Sequence, residues 1–457
     1  MENRRALTVG MVTLVTLVAF EAVAVTAAMP AVARALDGLA LYGFAFGGAL
    51  ATSLVGMVLA GAWCDRAGPA RPTAAGVVLF CAGLLVAGLA PHMWVLVAGR
   101  LLQGFGGGLV NVALFVVIGR AYPESEHARV LSALSAAWVL PAILGPAVAG
   151  AIVQYIGWRW VFLLVVVAAV PSMALVWPRV RGLAGGSTSD ISYSVRIYWS
   201  LGAAFGALLL YVGGQNASPA GVAVLAVGLV VALFCGARLL PPGAFAAARG
   251  LPAIVLLRGL AGAAFVQTDV FIPLLLTRER GLSPALAGLT VTVGALFWSA
   301  GSWVQARQAQ RLSDATRLRL GSAGIALGVL SAMALAFSSV PVAVVVAGWC
   351  LGGFGMGLVS PAAAALVLRY SAPSDQGANS AALSVADALL TTTALAVGGS
   401  LFAALVDAGP VAYVAAFAVA LVPAVAAVAV AGRTFGGSEP SAPPIPLAGE
   451  RAGAGRG

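Results

Sequence analysis

Apolar runs of about 20 residues recur along this chain from residue 8 to residue 432, each long enough to cross a bilayer as a helix. Broken at Gly, Pro, Arg and acidic clusters, they fall at 8–34, 43–64, 73–91, 94–119, 129–154 and 159–178, then at 197–215 and 219–239, then at 252–277, 285–306, 318–338, 341–368, 377–406 and 410–432. Only 9% of the 457 residues are charged and 61% are hydrophobic. A soluble domain carries about 25% charged residues to face water, and a disordered chain is poor in apolar ones, so both are excluded. The expectation is an all-α integral membrane protein with fourteen spans arranged as six, two and six.

The breaks between runs set the expected organisation. A six-helix bundle over 1–178 is followed by a polar linker over 179–196, with the stretch Gly185-Gly186-Ser187-Thr188-Ser189-Asp190 at its centre. Two additional helices and a loop fill 197–250, and a second six-helix bundle fills 251–432. The Gly, Pro, Ser and Ala-rich tail over 433–457 has the composition of a disordered segment. The start, Asn3-Arg4-Arg5 and an apolar run, is similar to a signal peptide, but the run continues to about Ala35, too long for one. It reads as a retained first helix.

The net charge is +10, and all 25 basic residues are arginine. Such a balance can signal nucleic-acid binding, yet the arginines stand singly or in pairs at the ends of apolar runs, where topology explains them. With the N-terminus inside, the external loops hold only Arg34, Arg159, Arg278 and Arg280. That bias predicts a multi-pass protein with both termini cytoplasmic, and the Arg, Ala, Gly and Val usage points to the plasma (inner) membrane of a GC-rich bacterium. Cys64, Cys81, Cys235 and Cys350 are scattered without C-x-x-C spacing, so neither a disulfide framework nor a zinc site is expected.

An ionisable side chain at mid-membrane costs about 2.5 to 3.5 kcal/mol on insertion scales, so each one needs a reason. Glu21 lies midway along the first run, where a carboxyl group can take up and release a proton or simply join helices. Asp387 falls on a stripe with Ser380, Ser384 and Thr391, at steps that keep all four on one helix face. That face borders a polar cavity or another helix. Asp269 follows Gln267 and shares a face with Arg258 about three turns away; it binds substrate, gates, or caps an external polar network. Arg100 begins a stripe with Gly104 and Asn111, with Gln103 beside it. Its guanidinium keeps its charge and needs an anionic or carbonyl partner, for which Glu21 is one candidate.

Several local patterns accompany these residues. The loop after the second run carries Gly61, Asp65, Arg66, Gly68 and Arg71; the fourth run carries Arg100, Gln103, Gly104 and Gly106; the fifth carries Pro141, Gly145, Pro146 and Gly150. Glycine and proline in neighbouring helices allow close, pliable packing. Together these patterns resemble the major facilitator superfamily, and the six-two-six layout is similar to its fourteen-helix drug:proton antiporter branch. The resemblance runs from the first helix to about residue 432. In it, the loop residues resemble the signature that latches the cytoplasmic gate, with Pro69 and Ala70 replacing a basic pair. Arg100 matches an arginine implicated in proton transfer, the fifth-run residues match an exporter signature, and Glu21 through Pro30 resembles the branch's first-helix signature. The second-half loop, Gly301 to Arg311, has Gln305 where an acid is expected.

The resemblance implies a major facilitator fold of two six-helix bundles plus two additional transmembrane helices. Its implied function is proton-coupled export of amphipathic or hydrophobic small molecules by alternating access. Glu21, Arg100, Asp387 and Asp269 are then the proton-coupling candidates. Gln103, Asn111, Trp138, Gln267, Phe297, Trp298 and Ser384 are the substrate-path candidates. Partners are a small-molecule substrate, protons and the lipid bilayer, with no nucleic acid, no cofactor and no metal, in a monomer. Export of a lipid or a specific metabolite fits equally well. A membrane-embedded enzyme is the competing class, but His92 and His127, the only histidines, lie in loops on opposite sides and offer no catalytic constellation.

Overall fold

The computed structural model describes residues 2–435 apart from 124–125, 127–129, 131–132, 135–136, 184–190, 215–217, 308–312, 338 and 372–375. Long α-helices dominate. They are α1 (Glu2–Ala35), α2 (Tyr42–Ala67), α3 (Ala70–Gly88), α4 (Met93–Ala121), α5 (Val139–Tyr155) and α6 (Arg159–Val180), then α7 (Ile191–Gly214) and α8 (Pro219–Ala237). The remainder are α9 (Leu251–Arg278), α10 (Pro284–Arg307), α11 (Asp314–Ala334), α12 (Val342–Tyr370), α13 (Gln376–Ala404) and α14 (Pro410–Val430). Among the described residues, twelve of these helices are long and apolar enough to cross a membrane. The two outside that set are α5, with a short apolar stretch at Leu144–Tyr155, and α11, which opens with Asp314, Arg317 and Arg319.

Local chemistry starts and stops these helices. Ser218 accepts a hydrogen bond from the Gly221 N–H at 3.1 Å and precedes Pro219, whose missing N–H costs nothing in a first turn. Ser313 caps α11 in the same way through the Thr316 N–H at 3.2 Å. Between α2 and α3 the chain turns at Gly68, whose φ of 77° is a left-handed conformation that glycine adopts without strain.

Around the linker expected over 179–196, α6 runs on to Val180 and α7 begins at Ile191. Residues 184–190 lie outside the described residues. The fifth run, expected from 129, holds α5 from Val139, preceded by a turn at Ala137 and Trp138 and, before that, by helical residues at 130, 133 and 134. Pro141 lies in its first turn, the part of a helix that tolerates proline. His127 and the tail from 436 also lie outside the described residues.

Within the first half, α2 and α3 pack on α4, and α1 packs on α5 and α6. In the second half, α10 and α11 pack on α12, and α9 packs on α13 and α14. The halves meet where α2 crosses α13, where α5 crosses α10 and where α1 meets α9 and α10. The antiparallel pair α7 and α8 is seated on both halves, against α2 and α13. Its Tyr211 ring stacks on Phe44 at 4.5 Å, and its hydroxyl occupies the space left by the absent side chain of Gly47.

The halves are joined at one end. Gly43 at the start of α2 touches Gly399 near the end of α13, and Gly150 at the end of α5 meets Ala285 at the start of α10. The Tyr42 hydroxyl donates to the Val270 carbonyl at 2.9 Å, across the two halves. Tyr42, Phe271, Phe402 and Tyr413 form a chain of rings with centroids 5.1 to 5.5 Å apart. These contacts seal the end of the bundle opposite the chain termini. On the terminal side, a cavity of about 140 Å³ opens against α1, α4 and α5.

Candidate functional site

The first centre lies between α1 and α4. Glu21, Arg100 and Gln103 are 4%, 6% and 3% exposed, so all three have left water. Arg100 Nη1 donates to a Glu21 carboxylate oxygen and, at 2.6 Å, to Gln103 Oε1. Its Nε donates to the Ala45 carbonyl at 3.1 Å. The structure therefore unites Glu21 with its candidate partner. A buried guanidinium is tolerable because its donors meet an anion and two neutral acceptors. If Glu21 takes a proton, Gln103 and Ala45 still hold the arginine. Gln103 is a buried member of this network, since it follows Arg100 by one helical turn.

The second centre is a surprise of partnership. Asp387 on α13 accepts from Arg258 on α9 through two parallel bonds, Nη1 to Oδ1 at 2.6 Å and Nη2 to Oδ2 at 3.1 Å. The side chains are 32% and 16% exposed, more than those of Glu21 and Arg100. Any Cβ at Gly262 would overlap the carboxylate, so glycine is what admits the pair. Ser384, one turn earlier on α13, is exposed, while Thr391 is buried with its hydroxyl unpartnered. The polar stripe thus borders both solvent and another helix.

Asp269, on α9, is half-buried beside the indole of Trp349 and close to Tyr42. Arg258 shares its helix face but turns to Asp387. Gln267, expected on the substrate path, is fully buried and donates to the Ala416 carbonyl of α14 at 3.3 Å. It faces a helix contact, because two residues of separation place it on another side of α9 from Asp269.

The cavity on the terminal side is lined by Val15, Val18, Gly107, Asn111, Phe115 and Trp138, among others. Its wall is apolar with one carboxamide, a surface suited to a largely apolar guest. Asn111 and Trp138 line it; Phe297, Trp298 and Ser384 lie elsewhere. Phe297 is exposed, and Trp298 packs edge-on against Phe265 at 5.2 Å.

The fifth-helix residues lie at the junction of the halves. Gly145 borders Phe20 and Val23 of α1, and the Pro146 carbonyl fills the space left by Gly288 of α10. Pro141 is buried, and Gly150 admits Ala285. In the loop after α2, Arg66 and Arg71 are exposed, Gly61 is partly buried in α2 and Gly68 makes the turn. The side chain of Asp65 lies outside the described residues. In the second half, Asp314 accepts from Arg317 and, at 3.1 Å, from Arg369. Among the described residues no group of three His, Cys, Asp or Glu side chains could hold a metal ion.

Two helical halves joined at one end, with an ion pair buried in one of them, suit a membrane transporter. Residues 11–345 match the sequence pattern of the Major Facilitator Superfamily. The chain belongs to that superfamily. Major facilitator proteins are transporters rather than enzymes in general. The chain is 29% identical over 383 residues to a probable multidrug-efflux transporter of Mycobacterium tuberculosis, covering 78% of this chain and 79% of that one. It is 27% identical to the multidrug transporter protein MdtP of Bacillus subtilis over 194 residues, 42% of this chain and 35% of the relative. Among solved structures, a bacterial homologue of the human lysosomal transporter Spinster, inward-facing and unoccupied, superposes with a TM-score of 0.67 at 15% identity, covering 95% and 98% of the two chains. An auto-inhibited POT family peptide transporter gives a TM-score of 0.68 at 16% identity, with the same coverage. At these identities the structures speak for the major facilitator fold alone.

Residue sequence alone did not reveal the partner of Asp387 or the position of Trp349. A signal for the second was available. Ala98-Gly99-Arg100-Leu101-Leu102-Gln103-Gly104-Phe105-Gly106-Gly107-Gly108-Leu109-Val110-Asn111 in α4 recurs in α12 as Ala347-Gly348-Trp349-Cys350-Leu351-Gly352-Gly353-Phe354-Gly355-Met356-Gly357-Leu358-Val359-Ser360. The packing recurs with it. Gly104 and Gly108 meet the carbonyls of Ala49 and Ser53 on α2, and Gly353 and Gly357 meet those of Gly294 and Trp298 on α10.

Proposed function

We propose that this major facilitator protein exports amphipathic or hydrophobic small molecules in exchange for protons, by alternating access, as a monomer in the inner membrane of a bacterium with both termini cytoplasmic. It is assigned to the fourteen-helix drug:proton antiporter branch, with bundles over 1–178 and 251–432 and the additional pair over 197–250. The observation that carries the proposal is the Glu21–Arg100–Gln103 network, which gives a buried acid both a counter-charge and a fallback for that counter-charge. Efflux is favoured over uptake by the multidrug-efflux relatives and by the Pro141, Gly145, Pro146 and Gly150 pattern at the junction with α10.

In this mechanism Glu21, Asp269 and Asp387 exchange protons as the halves rock, and Arg100 adjusts Glu21. Arrival of a proton on Glu21 weakens its hold on Arg100, which loosens α1 from α4. One proton charge moving down 100 mV releases about 2.3 kcal/mol, enough for about a fifty-fold solute gradient. The loop signature from Gly61 to Arg71 latches the terminal side when it closes. Export of a lipid or a specific metabolite through the same cavity is the second form of the proposal, since its wall is mostly apolar. The test is transport in proteoliposomes under an imposed pH gradient. Glu21→Gln is expected to insert and fold but to lose gradient-driven transport; undiminished transport by that variant overturns the assignment.

A further inference from the structure

Three arginines from distant parts of the chain converge at the end of the bundle that carries the termini. Arg249 stands in the turn before α9, Arg319 in the second turn of α11, and Arg433 in the short 3-10 helix Ala431–Arg433 that follows α14. The backbone brings them together. The Gly250 N–H donates to the Arg433 carbonyl at 3.1 Å, and Arg433 Nη1 reaches the Ala246 carbonyl of the same loop at 3.5 Å. Arg319 lies over Gly432, its Nη2 3.1 Å from where a Cβ would stand, so glycine leaves room for the guanidinium.

All three side chains are exposed, and none forms an ion pair among the described residues. Asp314, the acid of α11, is taken by Arg317 and Arg369. Single arginines at helix ends serve topology. Three gathered by backbone contacts repel one another and favour an anion among them, and the guanidinium fork matches the oxygens of a phosphate.

The surroundings select the source of that phosphate. Leu320, Leu327 and Leu330 are exposed on one face of α11, starting directly after Arg319, and Val422 and Val425 are exposed on α14, which packs against α11. An apolar rail leading away from the arginines suits acyl chains and is of no use to a free phosphate ion. The chain's own end does not supply the anion, because residues 436–457 carry two glutamates and two arginines and so no net side-chain charge.

We infer that Arg249, Arg319 and Arg433 form a headgroup site for an anionic phospholipid whose acyl chains run along the exposed leucines of α11. The bound lipid ties the α8–α9 loop to α11 and to the end of α14, and so braces the second half at its terminal side.

The test uses the purified full-length chain in a neutral detergent, with phosphatidylglycerol and phosphatidylcholine, each labelled on an acyl chain, as probes. Wild type binds phosphatidylglycerol tighter by about tenfold or more. Arg249→Gln, Arg319→Gln and Arg433→Gln combined bring the two lipids to within about twofold of each other. Arg5→Gln, Arg181→Gln and Arg307→Gln combined, three exposed arginines from other helix ends on the same side, keep the wild-type preference. If the first combination does not fold, Arg249→Gln alone, in a turn rather than a helix, weakens phosphatidylglycerol binding by about threefold or more and leaves phosphatidylcholine unchanged; unchanged binding of both lipids by that variant overturns the site. Equal loss of preference in both combinations, the mark of a diffusely basic face, also overturns it, as does a wild type without preference. Inorganic phosphate that displaces the probe as effectively as unlabelled phosphatidylglycerol overturns the lipid as occupant.

Discussion

The fourth and twelfth helices are built on one pattern and hold different chemistry. In both, glycines at matched positions let the helix backbone touch a neighbouring helix, α2 in one case and α10 in the other. At the head of that glycine ladder, α4 carries a guanidinium that pairs with Glu21, and α12 carries an indole beside Asp269, which forms no ion pair among the described residues. The lesson is that the scaffold was repeated while the charge was not. The two halves therefore meet the charge of the acid on their first helix in different ways.

Removing the cation from the first centre should cost most. Arg100→Ala leaves a buried carboxylate unpaired, and a loss of about 3 to 5 kcal/mol in stability is expected. Adding Glu21→Gln should recover most of it, seen as a thermal midpoint restored toward wild type. The matched change in the second half, Trp349→Ala, costs a similar amount through lost packing, about 3 to 5 kcal/mol, but Asp269→Asn should not rescue it. A rescue of equal size in both halves would break the contrast.

The scaffold itself should respond alike in the two halves. Gly104→Ala and Gly353→Ala each push a Cβ into a backbone carbonyl, of Ala49 and Gly294, and each is expected to cost about 1 to 3 kcal/mol. Thermal unfolding of the two single variants side by side checks this. A clear loss in only one half would show that the repeat is not packed equivalently.

Outside the repeat, the α7–α8 pair offers a sharper comparison with both halves. Gly47→Ala should drive Tyr211 from its notch and lower the thermal midpoint. Tyr211→Phe should restore much of the loss, because the Tyr211 hydroxyl is buried without a hydrogen-bond partner and is the atom nearest the new methyl group. The smallest effect is expected at the less deeply buried pair. Arg258→Gln, which keeps a hydrogen-bond donor near Asp387, should cost about 1 kcal/mol, in contrast to Arg100→Ala.

Much of the architecture was legible because lipid imposes a strict alphabet: long apolar runs broken by Gly, Pro and Arg. Run 94–119 became Met93–Ala121, and run 410–432 became Pro410–Val430 with a short turn after it. The start of α7 at Ile191 was not legible, because serines within a helix carry little apolar signal. Glu21 and Arg100 stood out as charges in oily sequence, and mutual need made their pairing a fair expectation. Arg258 and Asp387 are 129 residues apart, and their meeting depends on α9 packing on α13, which no local pattern encodes. Gln103 and Gln267 were polar enough to suggest a substrate path, yet an amide side chain serves a buried arginine or a helix contact equally well. Trp349 escaped notice because a tryptophan in an apolar helix is ordinary until its helix is set against α4.

The most direct test of the central claim is proton movement driven by substrate. Inside-out vesicles holding the protein, with an imposed proton gradient followed by a pH-sensitive dye, are exposed to a transported solute. The account predicts that the solute collapses the gradient with wild type and leaves it intact with Glu21→Gln. The same collapse with both proteins would contradict it.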